Sequence, residues 1–370
     1  MIWNWQQIDW PNFTYDYKQI DEFEKRLLLT AGLSFGAFKH LTEDDKRQLT
    51  IELISNEALK TSAIEGEHLN RDSLQSSICR QFGLITDLRK IPPAEQGIAE
   101  IMVNLYQHFA DTLSHTQLYA WHTWLMTGRH DMHEIGCYRT HDEPMQIVSG
   151  AIFAPKIHFE APPSSAVLNE MNRFIEWFND SAPQGKSPLP ALQRAGIAHL
   201  YFESIHPFAD GNGRIGRALA EKALSQCLGQ PTLIALAYAI ERNKNAYYTA
   251  LERANKHNDI TNWLLYFAEM VISAQAHTQT WIEFLIKKNQ LYHRAQGQIN
   301  SRQEKVLARM FREGPDGFVG GLSAEKYRGI TGAPPATATR DMQDLVNKGL
   351  LIRSGERKHT RYHLKLDGIE

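Results

Sequence analysis

His206-Pro207-Phe208-Ala209-Asp210-Gly211-Asn212-Gly213-Arg214-Ile215-Gly216-Arg217, written HPFADGNGRIGR, places a histidine, a carboxylate, two glycines flanking an amide and two arginines in one short run. Gly211 and Gly213 lack Cβ, so successive N–H groups there can converge on an anion, and a helix starting near Arg214 adds its partial positive charge at the same point. Arg214 and Arg217 lie three apart, on one face of that helix, where they can present two guanidinium forks to a polyphosphate. Asn212 adds a neutral donor between them. Asp210 stands before this cradle, where a carboxylate calls for a divalent cation between it and the phosphates, and Mg²⁺ suits one carboxylate plus phosphate oxygens. His206 is the one group of the run that accepts a proton near neutral pH. A lone histidine or a lone Gly-Asn-Gly is common in structural loops. Together these residues suit in-line attack of a hydroxyl on a charge-neutralised phosphate, with Pro207 and Phe208 locking the loop.

Outward from this loop the chain reads as mainly α. Apolar residues recur at three and four from Asp21 to His40, from Glu43 to Arg80, from 92 to 130, from Ser165 to Asp180 and from Leu189 to Phe202. The exit helix is expected from Arg214 to Cys227, and further helices reach about Asn300. Residues 1–20, rich in Trp and Tyr, suit an irregular or short-strand segment pinned by aromatic anchors. Between Gly136 and Pro163 the runs MQIVSG and KIHFEAPP predict a β-hairpin inserted among helices. The last residues change texture. Helices over Arg302–Arg312, Ser323–Ile330 and Pro335–Lys348, then strands over Leu350–Ser354 and Thr360–Leu364, follow the order of a winged helix-turn-helix.

Bulk properties exclude several classes. At 370 residues more than one domain is expected, and 42% hydrophobic with 22% charged residues is a globular composition. A net charge of −2 argues against a surface that grips nucleic acid throughout. Residues 299–370 nevertheless carry thirteen Lys plus Arg against nine Asp plus Glu, a local +4. Arg353, Arg357, Lys358, Arg361 and Lys365 fall in and around the expected wing, while Thr337, Thr339 and Arg340 open the recognition helix over the apolar Met342, Leu345 and Val346. A DNA or protein partner is therefore expected there. Cys79, Cys137 and Cys227 offer neither a disulfide framework nor a metal clip, which suits a reducing cytoplasm. MIWNWQQIDWPNF lacks the pattern of a secretory signal, and the apolar run Trp263–Ala276 is interrupted by Glu269, so no membrane role is expected.

The run HPFADGNGRIGR resembles the active-site signature of Fic-domain proteins at every defining position. Gly136-Cys137-Tyr138-Arg139 before the hairpin and Ala246-Tyr247-Tyr248 leading to Asn255 are similar to further features of that family, and the likeness spans roughly Leu113 to Asn255. It implies transfer of AMP from ATP to a Tyr, Ser or Thr hydroxyl of a protein, including the chain itself. In that reading His206 deprotonates the hydroxyl and Asp210 holds Mg²⁺. Gly211, Asn212, Gly213, Arg214 and Arg217 bind phosphates, and Tyr247 and Asn255 contact the nucleoside. The flap Met145, Gln146, Ile147, Val148, Ser149 and Gly150 docks a target segment by strand addition.

Upstream, Thr61-Ser62-Ala63-Ile64-Glu65-Gly66 places Thr61 and Glu65 four apart on a helix ending at Gly66, which resembles the inhibitory motif of the same family. Glu65 paired with Arg217 would occupy the fork meant for the γ-phosphate. Glu67, off the pattern, receives no role. The expected organisation is an N-terminal helical region over 1–110 carrying the inhibitory motif, a Fic core over 111–257, a helical linker over 258–298 and the winged helix-turn-helix over 299–370. The resemblance leaves other outcomes open: removal of AMP with Glu65 positioning water, transfer of UMP, phosphate or phosphocholine, a nucleotide-sensing regulator acting through the winged helix, and a homodimer.

Overall fold

Amphipathic periodicity turns most of the chain into helix. The computed structural model describes residues 2–84, 90–151, 154–232, 234–315 and 317–366. In chain order these form α1 (Tyr17–Lys39), α2 (Glu43–Ile64), α3 (Arg71–Gln81), α4 (Pro93–Gln107), α5 (His115–Leu125), β1 (Gln146–Ala151), β2 (Ala154–Glu160), α6 (Ser164–Asp180), α7 (Ala191–Ile205), α8 (Asn212–Leu228), α9 (Leu236–Arg242), α10 (Lys244–Ala254) and α11 (Thr261–Ala295). They continue with α12 (Ser301–Phe311), α13 (Ala324–Thr331), α14 (Pro335–Asn347), β3 (Leu351–Ser354) and β4 (Arg361–Leu364). The mainly α reading holds, with two two-stranded antiparallel sheets among the described residues. Two compact units emerge: Met1–Phe35 with Thr50–Thr278, and Gly36–Leu49 with Gln279–Glu370.

The first unit is built around α7, all of whose residues are buried, including Arg194, His199 and Glu203. A helix surrounded on every side must satisfy its polar groups from its neighbours. Arg194 does so by donating to Phe178 O (2.8 Å), Ala223 O (3.1 Å), Ser181 Oγ (3.1 Å) and Gln226 Oε1 (2.7 Å). Tyr201 meets Trp10, Phe13, Phe174 and Trp177 in an aromatic cluster with centroids 5.1–5.9 Å away.

Residues 2–16 anchor as expected and take the irregular of the two expected forms, with no strand among them. A 3₁₀ turn at Asn4–Gln6 and a single bridge, Thr14 to Asp259, replace it. Asn4 spans three elements: its N–H donates to Asn255 O (2.7 Å), its amide to Ser204 Oγ (2.8 Å), and Trp3 beside it stacks edge-on against Phe159 of β2 at 5.4 Å. Backbone groups needed inside this unit explain why the chain prefers a coil here.

Distant acids cap two helices. Pro190 precedes α7 and offers no capping side chain, so Glu24 of α1 accepts from Ala191 N (2.7 Å) and Leu192 N (2.9 Å). Glu57 of α2 does the same for Ala237 N in the first turn of α9 (2.6 Å). Both satisfy orphan N–H groups at a positive helix end.

In the second unit Asp341 of α14, nearly buried, accepts from Arg302 Nε of α12 (2.9 Å) and Tyr327 OH of α13 (2.9 Å), tying three helices through one carboxylate. β3 and β4 begin one residue inside the expected strands, and Leu322 bridges Tyr362. Met342 and Leu345 are buried, Val346 is half-buried, and Thr339, Arg340, Arg353 and Arg357 are exposed; the Lys358 side chain lies outside the described residues.

Glu24→Ala leaves two buried donors at the start of α7 without an acceptor, so a loss of about 1–3 kcal/mol in unfolding free energy is expected. Denaturant unfolding of the two proteins measures it; equal midpoints would mean the helix end is satisfied elsewhere.

Candidate functional site

The loop between α7 and α8 begins where His206 ends α7 in the left-handed region, φ 49 and ψ 60. A β-carbon makes that conformation costly, so the surroundings must impose it. Arg139, 1% exposed, supplies the constraint: its Nε donates to His206 O (2.9 Å) and its remaining nitrogens to Pro162 O (2.5 Å), Ser164 Oγ (3.1 Å) and Ile205 O (3.4 Å). Its backbone N–H donates to Pro207 O at 2.9 Å. Phe208 is fully buried and stacks on His122 with centroids 4.2 Å apart.

Asn212 closes the loop. Its Oδ1 accepts from Phe208 N (2.9 Å) and its Nδ2 donates to Phe208 O (2.8 Å). The Asn212 amide, expected to offer a donor to phosphate, here commits its oxygen and one of its two N–H donors to Phe208. Helix α8 starts at Asn212, two residues earlier than the spacing predicts, with Gly211 left-handed at its cap. The first intrahelical bond runs from Ile215 N to Gly211 O (3.1 Å), which leaves the N–H groups of Asn212, Gly213 and Arg214 as the orphan donors of the helix. Unpaired N–H groups at a helix N-terminus are suited to an anion.

The cations of the loop meet acids. Arg217 NH2 lies 2.7 Å from Glu65 Oε1, and the same guanidinium donates to Thr61 Oγ1 (2.7 Å) and Thr61 O (3.0 Å). Burial works against the Arg217 charge, but the adjoining carboxylates hold its pKa above the ordinary arginine value. A Cβ on Gly213 would stand 2.4 Å from Glu65 Oε1, so the bare Cα is what lets the acid enter. Arg214 NH1 pairs with Glu67 at 2.7 Å, so the acid given no role in the sequence sits on the second fork. Its signal was the sequence itself, two residues past Glu65 and just beyond the turn at Gly66, where helical spacing no longer applies.

Asp210, 43% exposed, pairs with Arg129 NH1 at 2.9 Å, while Arg129 also grips Asp131 through Nε (2.9 Å) and NH2 (2.8 Å). Nothing in the sequence singles out Arg129. Among the described residues no group of three or more metal-binding side chains occurs. One solvent-facing carboxylate beside an anion-binding helix end fits a cation that takes its other oxygens from a nucleotide and water.

His206 is nearly buried. Burial first, then the positive Arg139, pushes its pKa down to about 4, so the ring is neutral near pH 7. Its Nδ1 faces Glu203 Oε2 at 3.7 Å. Tyr247 and Asn255 are both buried. Tyr247 is 1% exposed with its hydroxyl 2.7 Å from His199 Nε2, and Asn255 is buried under Asn4. In this arrangement neither offers a surface to a nucleoside; core packing claims both.

The hairpin strands pair from Gln146 opposite Glu160 to Ala151 opposite Ala154, with a bulge at Ile147/Val148. Met145 precedes the strand, and its carbonyl accepts from Ala161 N (2.9 Å). Ile147, Val148 and Ile157 are exposed apolar residues on a two-stranded sheet, which leaves strand edges open. Ser149 Oγ lies 2.6 Å from His158 Nε2, and His158 Nδ1 lies 2.8 Å from Glu252 Oε2, so α10 braces the hairpin.

Residues 112–224 match the Fic/DOC family, and residues 3–84 match a domain of unknown function, DUF4172. The chain is 32% identical over 119 residues to a probable protein adenylyltransferase of Aquifex aeolicus, covering 32% of this chain and 31% of that protein. It is 32% identical over 108 residues to the protein adenylyltransferase Fic of Nematostella vectensis, covering 29% of this chain and 23% of that protein. The matches thus span about a third or less of these curated relatives. The crystal structure of a Fic family protein from Desulfovibrio desulfuricans shares the fold, with a TM-score of 0.53 at 20% identity over 94% of this chain and 97% of that one. No described helix is long and apolar enough to cross a membrane. With the HPFADGNGRIGR loop folded at the N-terminal end of α8 behind a nearly buried histidine, residues 112–224 match the Fic/DOC family.

Proposed function

We propose that the chain is an autoinhibited protein adenylyltransferase, which moves AMP from ATP to a Tyr, Ser or Thr hydroxyl of a protein, itself included. The observation that carries this reading is the 2.7 Å pair between Glu65 and Arg217 within the loop that holds His206. In the reaction the hydroxyl oxygen bonds to the α-phosphorus, the α–β phosphoanhydride breaks, pyrophosphate leaves, and the hydroxyl proton passes to His206. The orphan N–H groups of Asn212, Gly213 and Arg214 stabilise the phosphates, and Arg217 would hold the γ-phosphate once Glu65 departs. Asp210, freed from Arg129, would hold Mg²⁺, which supplies charge neutralisation of the phosphates. The hairpin edge would align the target by strand addition. The cytoplasmic setting, the homodimer and the DNA or protein partner of the C-terminal helices and hairpin stand as further parts of this proposal.

Charge-assisted hydrogen bonds of this kind contribute about 1.5–3 kcal/mol, roughly 10- to 100-fold in an equilibrium. Glu65→Gly is therefore expected to raise AMP incorporation by that factor, read by intact mass after incubation with ATP and Mg²⁺. Labelling equal to or below the parent would sink the brake, and a mass gain other than AMP would change the transferred group. Release from pre-modified protein, parent against Glu65→Gly, separates addition from removal.

Glu67→Ala is expected to raise incorporation less than Glu65→Gly, because Glu67 is the more exposed acid, and to add to it in the double variant. No gain in either background would confine inhibition to Glu65.

His206→Ala in the Glu65→Gly background should abolish transfer. A base whose pKa is depressed stays deprotonated as pH falls through the ordinary histidine range, so the rate should show no loss near pH 6.5 and decline only toward about pH 4. An acid limb centred near 6.5 would contradict that burial.

A further inference from the structure

We propose that Glu203 is a positioning residue for His206: a carboxyl oxygen of Glu203 accepts the Nδ1 proton of the ring, which leaves the Nε2 lone pair as the base. The inference rests on His206 acting as the base and adds the group that selects its tautomer.

Glu203 and His206 sit three residues apart at the C-terminal end of α7, on adjacent turns. Their side chains are 9% and 12% exposed, with Oε2 and Nδ1 separated by 3.7 Å. Both Glu203 Oε1 and His206 Nδ1 are sealed from solvent with no hydrogen-bond partner, although buried polar groups are ordinarily satisfied. The gap exceeds hydrogen-bond length by about 0.5 Å, within reach of a small side-chain adjustment. Of the two ring nitrogens only Nδ1 is orphaned in the interior, so Nε2 is the nitrogen left for a substrate hydroxyl.

The fold makes room for the acid. A Cβ on Gly216 of α8 would stand 2.5 Å from Glu203 Oε1 and 3.2 Å from His199 Nδ1, so the glycine leaves a space that the carboxyl fills. An apolar side chain would fill that space without an unsatisfied acid, and burial pushes Glu203 up to about 8. A protonated carboxyl keeps one bare oxygen as acceptor, so the arrangement operates in either charge state. Were its O–H to donate to Nδ1 instead, the ring proton would sit on Nε2 and no base would remain. During transfer the hydroxyl proton goes to Nε2, the Nδ1 proton stays in place, and the resulting imidazolium faces Glu203, the same division of labour by which a buried acid orients a histidine base elsewhere.

The test compares Glu203→Ala, Glu203→Gln and Gly216→Ala in the Glu65→Gly background, with folding checked by thermal unfolding. Two readouts are used: kcat and ATP KM for AMP incorporation, and the ¹⁵N shifts of the His206 ring, identified by their loss in His206→Ala. Glu203→Ala is expected to lower kcat about 100-fold or more while ATP KM stays within about twofold. Glu203→Gln, whose amide carbonyl still accepts from Nδ1–H, should recover to within about tenfold. Gly216→Ala, which displaces the carboxyl without removing it, should fall in the same direction as Glu203→Ala. The ring should carry its proton on Nδ1 in the parent and in Glu203→Gln, and shift toward the Nε2–H form in Glu203→Ala. A parent ring protonated on Nε2, a Glu203→Ala ring with unchanged shifts, or a Gln variant as slow as Ala overturns the proposal. Should Glu65→Gly transfer nothing, the adenylyltransferase reading fails on its own, and the ring tautomers still decide the role of Glu203.

Discussion

One buried guanidinium holds the turn after α7 in place. Arg139 reaches the carbonyls of Pro162, Ile205 and His206 and the hydroxyl of Ser164, so it fastens the end of α7, the left-handed His206 and the foot of the hairpin to one point. Burial lowers its pKa to about 10, still well above neutral, so the charge that makes these bonds strong persists. Without it, the carbonyls at the end of α7 would lack partners in a place closed to water, and His206 would be free to leave its strained conformation.

Cations gathered at one helix end need counter-charge. Arg217, Arg214 and Arg129 lie on or beside the anion-binding end of α8, and each meets a carboxylate: Glu65, Glu67 and Asp210. The acids supply the counter-charge that lets Arg214 and Arg217 sit nearly buried and holds the more exposed Arg129 in place. Glu65 has the deepest contact, because the missing Cβ of Gly213 admits its carboxyl to the helix end. One set of ion pairs therefore neutralises the cations gathered at this end of α8.

A second layer lies under the loop. His199, Glu203 and Tyr247 are all buried, and burial is the leading influence on each, pushing the imidazole of His199 down to about 4 and the acid of Glu203 up to about 8. Such groups favour their neutral forms, so the interior beneath His206 is polar but uncharged, and Arg217 with Glu65 carries the charge above it.

Much of this was legible in the sequence, because local chemistry is written locally. Helical spacing marks α1, α6, α7 and α8 to within a few residues but runs α2 into α3 and α4 into α5, turn residues bound the hairpin, and the HPFADGNGRIGR run carries the histidine, the acid and the two arginines in adjacent turns. Thr61 and Glu65 were also marked, through the resemblance of their stretch to the family's inhibitory motif, since four-residue spacing alone is an ordinary helix end. What the tertiary structure decided depends on groups distant in the chain. Glu24 caps a helix that begins at Ala191, Arg139 closes a turn beyond Ile205, and Glu67 finds Arg214. The bonds of the Asn212 amide to Phe208 are decided there too, since an amide that closes a loop and one that faces outward look alike in sequence. Tyr247 and Asn255 are turned inward, because sequence marks a residue's type and spacing, while which face meets solvent is set by the elements packed over it.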